Sequence, residues 1–236
     1  MKTSDAGIFA LALHEGIVPA PYKDSVGVWT YGIGHTAGAG DPDPAKMARG
    51  MPQNLDAALQ DVFDLFRSDV AKYEAAVARA VKAPVTQAQF DALVSFHYNT
   101  GAIGRASFVK KLNAGDMAGA VAGIMAWNKP KEIIARRKAE RDLFAHGIYP
   151  NGKATVWQVD GNGRVIWKPI RSLTMAQVLA MLRQAPAGPH AVAPPAPPKP
   201  PASAPKPPAA PAQPETQPGL LARLLTALAA LFRKAD

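Results

Sequence analysis

The chain has no cysteine. Disulfides are therefore excluded, and no redox compartment can be read from thiols. Acidic residues are outnumbered by basic ones, 18 against 27, leaving a formal charge of +9. Such an excess selects among partners rather than folds: nucleic acid, anionic membrane and the anionic bacterial envelope all qualify. With no zinc-knuckle, RRM-like or helix-turn-helix signature in the chain, nucleic acid is not expected as a partner. Long apolar runs are also missing. The apolar run at 8–13 is too short for a signal peptide, and Asp5 precedes it. No stretch reaches the roughly 18 uncharged apolar residues of a membrane span. The expectation is a protein made in the cytoplasm without its own export signal. No His/Cys/carboxylate cluster stands at ligand spacing such as His-Glu-x-x-His, so no metal and no cofactor is expected.

Aromatic residues disappear between positions 185 and 219, where the chain is mostly Ala and Pro. That composition cannot bury enough apolar surface to offset chain entropy. The expected organisation is a folded unit at 1–150, an added hairpin and helix at 151–184, a disordered linker at 185–218, and an amphipathic helical tail at 219–236.

Within the folded part, Ser4 or Asp5 can cap a first helix that ends near Gly16. Pro19, Pro21, Gly27, Gly32 and Gly34 then forbid helix, while Tyr22, Val26, Val28, Trp29, Tyr31 and Ile33 favour strands. A small antiparallel sheet is expected over 21–35, with turns near Asp24-Ser25 and Gly27, followed by a loop at 36–52. Asn54 caps a long helix to about Lys82, with Leu55, Leu59, Val62, Phe63, Phe66, Val70 and Tyr73 at helical spacing. Thr86 and Gln89 form a capping box opening a helix closed by Gly101. Helices are expected over 105–113, 116–128 and 132–146. Asp160-Gly161-Asn162-Gly163 signals a hairpin joining 154–159 to 164–168, and Thr174 with Gln177 opens a last helix. Helix, small sheet, then helices implies an α+β fold.

Glu15, Asp24 and Thr30 bracket the first helix end and the small sheet. A carboxyl at a helix end thus faces a glycine-rich sheet bearing a second carboxylate and a hydroxyl. Glycoside hydrolysis needs an acid to protonate the leaving oxygen and a group opposite to hold water or attack. Glu15 closes an apolar helix, where partial burial can keep it protonated, whereas Asp24 in a polar turn stays ionised. Thr30 can hold the attacking water. The plain alternative is a solvated helix-end charge, a turn residue and a β-former.

The run from His14 to Thr36 resembles the catalytic signature of the phage-type lysozymes (endolysins), glycoside hydrolase family 24, with Glu15, Asp24 and Thr30 at the family's catalytic positions. Three later segments are similar to it: 90–101 (FDALVSFHYNTG), 110–116 (KKLNAGD) and 136–144 (RRKAERDLF). The resemblance covers roughly 8–147. It implies a lysozyme-like fold, with a small sheet lobe and a larger helical lobe joined by the long helix. It implies hydrolysis, with inversion, between N-acetylmuramic acid and N-acetylglucosamine of bacterial peptidoglycan; a monomer is expected, held in the host cytoplasm until release to the periplasm. It also implies an arginine, here Arg136, facing the catalytic Glu; the alternative is an ordinary exposed helix cation. His35, Thr36, Tyr98 and Asn99 join Arg136 as candidate substrate-binding residues, although a structural role suits His35 and a core role suits Tyr98 and Trp127. A lytic transglycosylase, or a wall-binding or membrane-permeabilising protein that is not an enzyme, are the competing functions.

Beyond Gly147 the chain departs from the family. Trp157 and Trp167 of the hairpin can face sugars or pack the hairpin onto the helical lobe. In the tail, Leu220, Leu221, Leu224, Leu225, Leu228, Leu231 and Phe232 form an apolar face, with Arg223, Arg233 and Lys234 adding charge. An anionic membrane or outer-membrane surface, a partner protein, or the enzyme itself are its candidate contacts.

Overall fold

The computed structural model describes residues 1–24 and 27–184. The expected linker at 185–218 and tail at 219–236, with Ser25 and Val26 of the first turn, lie outside the described residues.

The helices begin where local chemistry starts them. Helix α1 (Asp5–Glu15) is capped by the Ser4 side chain, which accepts from Gly7 N–H. Helix α2 (Leu55–Ala80) is capped by Asn54, α3 (Gln87–Thr100) by the Thr86–Gln89 capping box, and α7 (Met175–Arg183) by the Thr174–Gln177 box. These side chains satisfy N–H groups that the first turn leaves without partners. Gly101, in the left-handed conformation at φ 62°, closes α3. Helices α4 (Ser107–Asn113), α5 (Met117–Ile124) and α6 (Ile134–His146) complete the helical lobe. Helix α5 is shorter than its sequence suggests. At its end Gly123 lies under Phe108, and the chain continues as tight turns through Trp127.

Strands β1 (Val18–Lys23), β2 (Trp29–Gly32) and β3 (His35–Thr36) form the antiparallel sheet in that order. Strand β1 starts three residues earlier than expected and contains both prolines. Its pairing with β2 is irregular between Val18 and Tyr22, so Pro19 and Pro21 owe no ladder hydrogen bond there. The core runs from Phe9, Leu11 and Ala12 of α1 through Leu59, Val62, Phe63 and Phe66 of α2 to Phe90, Leu93 and Phe96 of α3.

The hairpin of β4 (Ala154–Val159) and β5 (Val165–Leu173) joins this framework on the sheet side. Ile17 N–H donates to Thr155 C=O at 2.9 Å and Trp157 N–H to Ile17 C=O at 2.8 Å, a parallel bridge that lays β4 along the start of β1. Trp157 and Trp167 stack edge-to-face at 5.5 Å and pack with Val18, Ala20, Tyr22 and Val159. The tryptophans therefore seat the hairpin on the sheet lobe, not on the helical lobe. Ala154, Val156, Leu173 and Val178 instead reach the main core, and Gln60 Nε2 donates to Met181 C=O at 2.9 Å, tying α7 to α2.

A buried pair pins the sheet lobe to the long helix. His35 Nδ1 lies 2.6 Å from Asp69 Oδ2, and its Nε2 lies 2.9 Å from the carbonyl of Pro42. Both partners are acceptors, so the ring bonds best when both nitrogens carry protons. Burial opposes that charge, but the hydrogen bond and charge of Asp69 outweigh it and raise the His35 pKa above 6.5. A raised folded-state value stabilises the protein fully below the unfolded pKa, and the contribution is lost as pH rises through the folded one. The stability advantage of the wild type over Asp69→Asn should therefore be largest below about pH 6.5 and shrink towards alkaline pH. Urea unfolding of both proteins across that range is the check, and an advantage that grows with pH would contradict the pair.

Candidate active site

Glu15 is the last residue of α1. Gly16 turns the chain away at φ 70°, a conformation open mainly to glycine, so the helix stops with Glu15 still packed inside. The side chain has no exposed surface. Opposite it, Arg136 comes from the first turn of α6 and is itself buried, so it is not a solvated helix cation. Its Nη1 donates to Glu15 Oε1 at 2.5 Å, its Nε to Glu140 Oε1 at 2.9 Å, and its Nη2 to the carbonyl of Ser95 at 3.1 Å. Ser95 Oγ donates to Glu140 at 2.7 Å. Arg137 then joins Glu140 to the Asn99 side-chain oxygen and lies over the Phe96 ring.

Two carboxyl groups and two guanidiniums thus form one enclosed network between α1, α3 and α6. Buried charges are tolerated only when paired and hydrogen-bonded in this way. Glu140 shows the balance. Burial works against its charge, yet Arg137 and Arg136 hold its carboxyl below the usual carboxylate range. The neighbouring His14 goes the other way: burial, then Arg136, bring its pKa down to about 4, so it adds no charge near neutrality. Glu140 was not among the residues singled out in the sequence. Its spacing from Arg136, i to i+4 along one helix face, was the available signal.

The sheet supplies the second set of groups. Lys23 pairs with Trp29 and Tyr22 with Thr30, so Asp24 and Thr30 flank the closed end of the β1–β2 ladder. Val28 links them: its N–H donates to Asp24 Oδ1 at 2.8 Å, and its carbonyl accepts from Thr30 Oγ at 3.2 Å. Asp24 is 6% exposed and Thr30 1%, so Asp24 occupies a buried position rather than an open polar turn. The next turn approaches Glu15 directly. A side chain at Gly34, where φ is 80°, would lie 3.6 Å from Glu15 Oε2 and 3.5 Å from the Tyr98 ring.

The other candidates divide. Tyr98 packs on Phe66 and Tyr73, and its hydroxyl donates to the Ile33 carbonyl at 2.5 Å, so it joins α3 to the turn beside Glu15. Thr36 is half-buried and pairs with Thr30 across β2 and β3. Asn99 is buried at the edge of a cavity of about 240 Å³ lined also by Thr100, Trp127, Lys129, Pro130, Ile133 and Arg137. Trp127 meets Phe96 edge-to-face at 5.2 Å. His35 does not belong with the substrate-binding candidates. It is 2% exposed with both ring nitrogens engaged inside the protein, which leaves a structural role.

A profile described as phage lysozyme matches residues 12–140, ending before the hairpin begins. An endolysin of Acyrthosiphon pisum secondary endosymbiont phage 1 is 33% identical over 159 residues, covering 61% of this chain and 98% of that protein. Among solved structures, an endolysin from the Escherichia coli O157:H7 phage FAHEc1 is 34% identical, covers 64% of this chain and 98% of its own, and superposes with a TM-score of 0.55. A mutant of the lysozyme of phage P22 gives 31% identity and a TM-score of 0.52, covering 61% of this chain and 98% of that one. With its matched profile spanning more than half of its length and the buried acid of α1 facing the small sheet, the chain belongs to the phage lysozyme family.

Proposed function

We propose that this chain is an endolysin-type muramidase that hydrolyses the β-1,4 bond between N-acetylmuramic acid and N-acetylglucosamine in bacterial peptidoglycan, with Glu15 as general acid and Asp24 and Thr30 directing water. The observation that carries the assignment of roles is the contact between buried Glu15 and Arg136 at 2.5 Å. Glu15 gives its proton to the glycosidic oxygen as the C1–O bond breaks. The carboxylate left behind meets a guanidinium already in place, so charge develops without reorganisation of solvent. A water held by the Thr30 hydroxyl attacks C1 from the opposite face and passes a proton to Asp24, giving inversion. Glu15, Asp24 and Thr30 have almost no exposed surface.

The enzyme acts as a monomer and stays in the host cytoplasm until it is released to the wall. Among the described residues no helix is long and apolar enough to cross a membrane. The tail at 219–236 adds a second contact, with anionic lipid. Its leucine face needs a lipid boundary to bury itself, and Arg223, Arg233 and Lys234 are drawn to anionic head groups.

Mass spectrometry of the products distinguishes hydrolysis from transglycosylation, because reducing and anhydro ends differ by one water. Reducing ends are expected. Thr30→Ala and Asp24→Asn should each slow their release on the order of a hundredfold, and an unchanged rate in Thr30→Ala would remove Thr30 from the mechanism.

Deleting 185–236 should leave the melting temperature and the hydrolysis of purified peptidoglycan nearly unchanged. Binding to anionic vesicles should fall, and in the full chain that binding should weaken as salt rises. Equal vesicle binding by the truncated protein would refute the lipid contact.

A further inference from the structure

The hairpin lies beyond the residues that the family profile matches, yet its turn touches the catalytic part of the sheet. The contacts start from a rigid turn. Asp160 Oδ1 accepts from Asn162 N–H at 2.8 Å and from Arg164 N–H at 2.9 Å, while Gly163 N–H donates to the Asp160 carbonyl at 3.1 Å. The hairpin behind this turn is anchored in the protein interior through Val156 and Leu173, both at most 1% exposed.

Gly163 makes two contacts with the last β1–β2 pair. Its carbonyl accepts from Lys23 N–H at 2.8 Å. Its Cα faces the indole of Trp29 so closely that a methyl group there would sit 2.6 and 2.8 Å from the ring carbons Cζ3 and Cη2. Its φ of 78° also favours glycine at this place. Lys23 immediately precedes Asp24, and Trp29 immediately precedes Thr30.

Trp29 is held by a third segment as well. The Arg49 guanidinium carbon lies 3.6 Å from the ring centroid, within the range of a strong cation–π contact. Arg49 is fixed in turn by the carbonyls of Pro44 at 3.0 Å and Ala45 at 2.6 Å. Lys23 Nζ stands 5.3 Å from the same ring.

We propose that the β4–β5 hairpin is a positioning element of the active site: Gly163 and Arg49 clamp the Lys23–Trp29 pair and so fix the Asp24 carboxylate and Thr30 hydroxyl for attack. Gly163, Trp29 and Arg49 are positioning residues that act through Asp24 and Thr30; the proposal rests on the roles given to those two. The linkage is short. Lys23 and Asp24 share a peptide bond, as do Trp29 and Thr30, and Val28 ties the Asp24 carboxylate to the Thr30 hydroxyl. A displaced indole therefore moves both groups that hold the water. It leaves Glu15 in place, because the acid is anchored by Arg136 on the far side.

The test uses the full chain and a soluble, uncross-linked glycan substrate. Gly163→Ala pushes the indole and should lower kcat by about tenfold to a hundredfold, with KM within about twofold, at temperatures well below its melting point. Arg49→Ala removes the other contact and should lower kcat in the same direction. Gly161→Ala is the control, because a methyl group there meets nothing within 4 Å; its kinetics should match wild type. NMR of fresh products adds a readout that stability alone does not move. A mispositioned water should lower the fraction of product released with inverted configuration in Gly163→Ala. If Gly163→Ala does not fold, Arg49→Ala carries the comparison. Wild-type kcat in folded Gly163→Ala and Arg49→Ala overturns the positioning role. If Asp24→Asn and Thr30→Ala are still strongly slowed in that case, the catalytic assignment survives alone. If those two variants are active, the assignment itself has failed.

Discussion

The structure depends on one guanidinium. Arg136 stands between Glu15 and Glu140 and bonds the Ser95 carbonyl, so a single side chain fixes the end of α1 against α3 and α6. Removing one partner from such a buried set leaves an uncompensated charge, which costs on the order of 3–5 kcal/mol. In the mechanism we propose, the same contact serves the chemistry, since it is positioned for the charge that appears on Glu15 when the proton leaves. Glu140 and Arg137 complete the same buried network.

The opposite wall of the site is built differently. Asp24 and Thr30 sit on a three-stranded sheet too small to hold itself in place, since short isolated ladders are marginal in water. External supports hold it. His35 and Asp69 tie β3 to α2, Tyr98 ties the Ile33 turn to α3, and the hairpin lies against β1.

Sequence and structure agree most closely where the determinant is local. Ser4, Asn54, Thr86 with Gln89 and Thr174 with Gln177 cap the helices they precede, because a cap involves only residues three apart. Strand ends were harder to read. The second hairpin strand, expected over 164–168, runs on to Leu173 opposite Ala154, because irregular pairing accommodates Pro169. Glu15, Asp24 and Thr30 were recognisable as a set, and so was the partnership of Arg136 with Glu15. The bonds from Arg137 to Asn99 and from Glu140 to Ser95 cross 38 and 45 residues of chain, and no periodicity reports a pairing at that separation. Trp157 and Trp167 do not pack on the helical lobe as one expectation had it, because a hairpin's composition does not say which neighbour covers it; they pack with Val18, Ala20 and Tyr22 of the sheet lobe. The parallel bridge at Ile17 lays the hairpin along the same lobe.

The central claim is that Glu15 supplies the proton that breaks the glycosidic bond. Its most direct test is Glu15→Gln, followed by loss of turbidity of purified peptidoglycan and by circular dichroism across a thermal melt. Glutamine keeps the shape and can still accept from Arg136, but it has no acidic proton to give. The expected result is a folded protein with a cooperative melt and no detectable release of reducing ends. A folded Glu15→Gln variant that clears peptidoglycan at near the wild-type rate would contradict the account.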